Sequence, residues 1–272
     1  MSGPLDLDGR VALVTGGTRG VGAGIARALL RAGARVVVCA RRPPDEPVTA
    51  DGRTACFRPV DVRRPAAVQL LFDELASAFG RLDLLVNNAG GAPFRLLDDA
   101  DAERHARVLE LNLTAPLTVS LAAHRVMRRQ PAGGSVLMIG SVSGSRPSPG
   151  TAAYGAAKAG LEHLARTMAV EWAPAVRVNT LVLGMVRTES AHLHYGDTAG
   201  VAAVARTVPA GRLAEPDEIG DAVVFLASDR ASYITGASLL VHGGGERPAF
   251  LAAARAHPSA PSAPSATTFE EH

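Results

Sequence analysis

This 272-residue chain has a single lysine: Lys158 stands against 27 arginines in a basic total of 28. Whatever favours arginine elsewhere, one position keeps a compact ammonium that a planar guanidinium fork does not replace. Asparagine is almost as scarce, occurring only at 87, 88, 112 and 179. Two cysteines, Cys39 and Cys56, make neither a disulfide framework nor a metal cluster. Cys39 closes an apolar run and reads as a small buried hydrophobe. No apolar stretch is long enough to span a bilayer. The opening Met1–Asp8 lacks the basic start and apolar stretch of a signal peptide, so the expected location is cytoplasmic. A formal net charge of +2, with arginines scattered apart from pairs such as Arg41-Arg42 and Arg128-Arg129, gives no electrostatic case for nucleic acid.

What is present is a rhythm. Short β-rich runs at Val11–Thr15, Arg35–Ala40, Thr54–Pro59, Leu82–Asn87, Ser135–Gly140, Ala175–Leu181 and Ala237–Val241 alternate with helical patterns at Ala23–Ala32, Ala66–Phe79 and Glu103–Met127. This predicts an α/β fold of about seven strands, a parallel sheet with helices on both faces, in a single domain. From Arg42 to Arg53 three prolines and no helical period predict a loop in place of a crossover helix. The domain is expected over residues 1–245. Beyond it, residues 246–272 turn rich in Ala, Pro and Ser and read as a mobile tail.

The first predicted strand runs into Thr15-Gly16-Gly17-Thr18-Arg19-Gly20-Val21-Gly22 and then a helix. Glycines at 16, 20 and 22 permit a tight turn and close backbone approach, and the helix N-terminus suits a pyrophosphate. The second strand ends Val38-Cys39-Ala40-Arg41-Arg42, without the carboxylate that would take an NAD ribose hydroxyl. Arg19 and Arg41 match a 2′-phosphate in geometry. NADP(H) is therefore favoured, with NAD(H) as the alternative. Further on, Tyr154 and Lys158 stand four residues apart, on one face of a helix. An ammonium beside a phenol is expected to lower its pKa and fit it for acid–base work.

Together these segments resemble the classical short-chain dehydrogenases/reductases over residues 5–245, the 3-oxoacyl-acyl-carrier-protein reductases among them. The glycine loop resembles the family's TGxxxGxG, Asn87-Asn88-Ala89-Gly90 its NNAG, and Asp61-Val62 its adenine-contacting pair. Ser141 precedes Tyr154 by thirteen residues, as the family's catalytic serine does, and all four asparagines fall on motif positions. Leu183-Gly184 stands where the family has Pro-Gly, and His242 where it has aspartate.

The resemblance implies a Rossmann-type doubly wound sheet and interconversion of a carbonyl and an alcohol by hydride transfer. It implies Asn112, Ser141, Tyr154 and Lys158 as catalytic residues. Tyr154 would protonate the developing alkoxide and Ser141 would bond the same oxygen. Lys158 would tune Tyr154 and hold the nicotinamide ribose, and Asn112 would anchor a water. The cofactor would be held by Gly16, Thr18, Arg19, Gly20, Val21, Gly22, Arg41, Asp61, Val62, Asn88, Ala89 and Gly90. Tyr154, Lys158, Gly184, Val186 and Thr188 would complete that set. The partner is a small carbonyl or alcohol, with walls expected from Gly91–Leu97 and from His192, His194 and Tyr195. No metal, membrane or nucleic acid is implied. A homo-oligomer is implied, tetramer or dimer, through Glu103–Met127 and Thr151–Trp172. The alternatives are an NAD-dependent alcohol dehydrogenase of the same family and a non-catalytic dinucleotide-sensing protein.

Overall fold

Alternation along the strands dictates the layers. In β1 (Val11–Thr15), Ala12 and Val14 join the core on one face of the sheet and Val11 and Leu13 that on the other. A strand apolar on both sides must be covered on both. The computed structural model describes residues 6–250 and supplies that cover. After β1 come α1 (Gly20–Arg31), β2 (Arg35–Ala40), the short β3 (Thr49–Ala50) and β4 (Arg53–Thr54), and β5 (Cys56–Pro59). Then follow α2 (Pro65–Phe79), β6 (Leu84–Asn87), α3 (Ala102–Leu109), a π-helical segment Glu110–Thr114, and α4 (Ala115–Met127). The chain continues through β7 (Gly134–Ser141), α5 (Ala152–Trp172), β8 (Val176–Leu183), α6 (His192–Tyr195), α7 (Thr198–Ala205), α8 (Pro216–Ala227) and β9 (Ser238–Val241).

Seven strands form one parallel sheet in the order β5-β2-β1-β6-β7-β8-β9. Ile25 and Leu29 of α1 pack with Ile219 and Val223 of α8 on one face. Leu71 of α2, Val119 of α4 and Leu161 of α5 cover the other. The fold is thus the expected single-domain, doubly wound α/β sheet. No helix among the described residues is long and apolar enough to cross a membrane.

Three details differ from expectation. The connection after β2 has no helix, as the prolines predict, but it also folds a small antiparallel hairpin, β3 with β4. Its turn is Asp51-Gly52 with φ of 49° and 72°, the positive pair that Asp-Gly supplies in a two-residue hairpin. The single helix expected over Glu103–Met127 is interrupted by the π-helical segment. Of the predicted tail, residues 251–272 lie outside the described residues. Its first residues are anchored: Arg146 donates to Glu246 Oε1 through Nε at 3.0 Å and Nη2 at 2.5 Å.

Candidate active site

Strand order reverses between β1 and β6, and open α/β sheets bind ligands in the crevice at such a point. β1 delivers Thr15 there, and the next four residues turn straight into α1. Gly16 and Gly20 have φ of 63° and 52°, a region side chains avoid. Gly22 is required by contact, since a Cβ there would fall on the Gly16 carbonyl and the Asn88 side-chain amide. Arg19 precedes α1 without a side-chain cap, so first-turn amides face the cleft at the positive end of the helix dipole. A carboxylate reaches them from far along the chain: the Gly20 N–H donates to Glu189 Oε1 at 3.4 Å.

The segment after β6 is joined to this turn. Asn88 Nδ2 donates to the carbonyls of Thr15 at 2.9 Å and Gly16 at 3.1 Å. The Asn88 and Ala89 N–H groups both donate to Thr15 Oγ1 at 3.0 Å. Pairing of β2 with β5 forms the other arm of the cleft, where the Val60 N–H donates to the Ala40 carbonyl at 2.9 Å. Arg41 and Asp61 follow those strand ends. The hydrogen-bonded Arg63 guanidinium, assisted by Arg41, holds the Asp61 carboxyl down at about 2.

Ser141 ends β7, and its Oγ accepts the Ser143 N–H at 3.2 Å. Across from it, α5 presents Tyr154 and Lys158 one turn apart. Lys158 is buried, its Nζ donating to the Ile139 carbonyl at 2.7 Å and lying 5.4 Å from the centre of the Tyr154 ring. Burial lowers its pKa from 10.5 to about 8. Burial also pushes the Tyr154 phenol up, against a hydrogen bond to Ser141 that pulls it down. The expected lowering of the phenol by its ammonium neighbour is therefore not found. Desolvation dominates at the phenol, and the ammonium is engaged with the Ile139 carbonyl.

Asn112 sits on the π-helical segment, fully buried. Its Oδ1 accepts the Gly91 N–H at 2.8 Å, and its Nδ2 donates to the Gly91 and Val108 carbonyls at 3.0 and 2.9 Å. It does not line the cleft but fixes its edge. A Cβ on Gly90 would lie 2.6 Å from Asn112 Oδ1 and 3.5 Å from Lys158 Nζ, so the three meet there. After β8, the Gly184 N–H donates to the Val241 carbonyl at 3.0 Å and the Arg187 N–H to the Ala214 carbonyl at 2.8 Å. This ties the loop down despite Leu183. A Cβ on Gly184 would meet His242 Cβ at 2.7 Å, so His242 packs directly against the glycine that follows Leu183.

All the residues expected to touch a dinucleotide line this cleft, whose volume is about 920 Å³, together with Ser141. The glycine cradle, the uncapped helix amides and this elongated volume fit a dinucleotide with a pyrophosphate. On the substrate side Phe94, Leu111, Leu193 and His194 line the cleft, whereas Leu96 and Tyr195 do not. His192 Nδ1 is engaged with the Glu189 carbonyl at 2.9 Å.

The family profile described as Enoyl-(Acyl carrier protein) reductase matches residues 16–246. The 3-oxoacyl-[acyl-carrier-protein] reductase FabG of Vibrio cholerae is 38% identical over 243 residues, 88% of this chain and 98% of that protein. The cis-4-hydroxycyclohexanecarboxylate dehydrogenase of Sinomonas cyclohexanicum is 39% identical over 244 residues, 86% of this chain and 96% of that one. The chain belongs to the short-chain dehydrogenase/reductase family.

Solved structures agree with the family fold. Aldohexose dehydrogenase of Thermoplasma acidophilum superposes with a TM-score of 0.82 at 29% identity, covering 89% of this chain and 96% of that one. A short-chain type dehydrogenase/reductase of Mycobacterium marinum gives 0.82 at 33%, covering 90% and 98%. As a short-chain dehydrogenase/reductase the chain is an oxidoreductase of CH–OH and C=O groups, in a family that binds nicotinamide dinucleotides. Sequence reasoning missed Thr15 as the clamp between glycine turn and NNAG segment, and Arg63 and Glu189 as cleft residues. Thr15 was legible as the first residue of the glycine motif. The other two depend on which strand ends and loops meet in space.

Proposed function

We propose that this chain interconverts a carbonyl and an alcohol with NADP(H), using Tyr154 as proton donor and acceptor. The observation that carries the reading is the meeting of Ser141, Tyr154 and Lys158 at one end of a cleft whose other end bears Arg19 and Arg41. No carboxylate stands at the end of β2 to select a free ribose hydroxyl. The nicotinamide supplies the hydride when bound. In the reductive direction Tyr154, kept protonated by its burial, gives its proton to the developing alkoxide oxygen. Ser141 donates to the same oxygen and holds the carbonyl in line. Below pH 8 or so, Lys158 is a cation that stabilises the tyrosinate left behind. Asn112 fixes Gly91 and, as the family implies, anchors a water that returns a proton toward Lys158.

The substrate class best supported is a 3-oxoacyl thioester. The wall formed by Phe94, Leu111 and Leu193 suits an acyl chain better than a polyhydroxylated sugar, and the FabG relative carries that activity in its name. The catalytic domain is residues 1–245, acting as a homo-oligomer. Exposed Leu109, Leu121 and Val170 on α3, α4 and α5 support that assembly. NADPH consumption should be followed with 3-oxoacyl thioesters, cyclic ketones, quinones and keto-sugars. Turnover greatest with the thioesters is expected. Turnover confined to sugars would overturn the substrate class.

A further inference from the structure

Arg63 lines the cleft two residues after Asp61, at the end of the site where Arg41 stands. Its guanidinium forks onto the Asp61 carboxylate, Nη2 to Oδ2 at 2.6 Å and Nε to Oδ1 at 2.9 Å. Its own N–H donates to Oδ1 at 3.1 Å, so the pair is fixed through backbone and side chain alike. The side chains of Arg63 and Asp61 are 29% and 18% exposed, which leaves the pair less screened than a surface ion pair. Parallel pairing of Ala40 with Pro59 brings Asp61 beside Arg41. Arg41, which suits a phosphate, thus shares a corner with a carboxylate that would repel one. Arg63 is the group that cancels this charge.

We propose that Arg63 is a specificity-determining residue that acts through Asp61. By neutralising the carboxylate it lets the adenosine end of the cleft accept a 2′-phosphate, so the NADP(H) preference depends on Arg63 as well as on Arg19 and Arg41. This rests on the NADP(H) reading given above. Arg63 is a positioning residue here, because it holds Asp61 and is not assigned a contact with the phosphate.

The test is calorimetric binding of NADPH and NADH to the full chain and to R63Q, R63K, D61N and D61N/R63Q. Thermal unfolding of each variant verifies that it is folded. R63Q is expected to weaken NADPH about tenfold and NADH less than about twofold, since one partly desolvated charge is unmasked. R63K is expected to restore most of the NADPH affinity. In the D61N background, adding R63Q should cost NADPH less than about twofold, because there is no charge left to unmask. Equal losses for both cofactors would overturn the proposal and make Arg63 a prop for the adenine subsite alone. A loss that persists undiminished in D61N would also overturn it, in favour of direct phosphate contact. A native chain that prefers NADH brings down the NADP(H) reading itself. A native chain that prefers NADPH, with R63Q unchanged, brings down only the role of Arg63.

Discussion

The same burial shifts Lys158 down and Tyr154 up, each toward its neutral form. The lysine titrates near 8, and the phenol, pushed up, stays protonated over the same range. For carbonyl reduction, kcat/KM should therefore hold below about pH 8 and fall above it as the cation is lost. Alcohol oxidation should rise with pH, because it needs the phenolate. A reduction profile flat to pH 10 would show that Lys158 does not assist. Glu189 provides a second test at this scale. Its carboxylate accepts from the Gly20 N–H where helix amides face the cleft, so an incoming phosphate must displace it. Glu189→Gln should tighten NADPH binding by about fivefold, the worth of roughly 1 kcal/mol of like-charge contact. Weaker binding in titration calorimetry would mean that Glu189 supports the cofactor. Neither environment was legible in the sequence. The spacing of Tyr154 and Lys158 identifies a shared helix face, but desolvation depends on the sheet packed beneath it.

Among the elements, the join between α3 and α4 has the clearest consequence. Its π-helical turn places Asn112 so that the side chain satisfies Gly91 on both sides and Val108 as well. Such turns recur at functional sites because they aim a residue that a regular helix would not. Asn112→Ala would remove all three of these bonds from the half-buried edge of the cleft. The expected fall in Tm is about 5–10 °C, from a few kcal/mol of lost satisfaction, with a slower turnover. An unchanged Tm in scanning calorimetry would contradict the clamp. The helical period over Glu103–Met127 gave the existence of this helix but not its break, since the π turn leaves the apolar pattern readable as one helix. The strands were far more legible. β1 and β2 begin and end where apolar runs give way to Gly and Arg. The β3–β4 hairpin was hidden by the prolines around it, although Asp51-Gly52 is a turn signal in its own right.

Across the whole molecule, each function comes from a different part of the chain. Strand order brings residues of the glycine turn, the β2 and β5 ends, the NNAG segment, α5 and the loop after β8 to one crevice, although they span positions 16 to 194. That convergence follows from the parallel sheet alone and was legible through the motifs in order. The charge balance of the crevice, with Arg41 and Arg63 around Asp61, emerges only when the strand ends are neighbours. We propose that this crevice performs Tyr154-dependent hydride chemistry on NADP(H). The decisive comparison is of native and Tyr154→Phe protein in NADPH affinity and in NADPH-driven turnover of a 3-oxoacyl thioester. Unchanged affinity with turnover lost by at least about a thousandfold is the result predicted. Turnover that survives in Tyr154→Phe would contradict it.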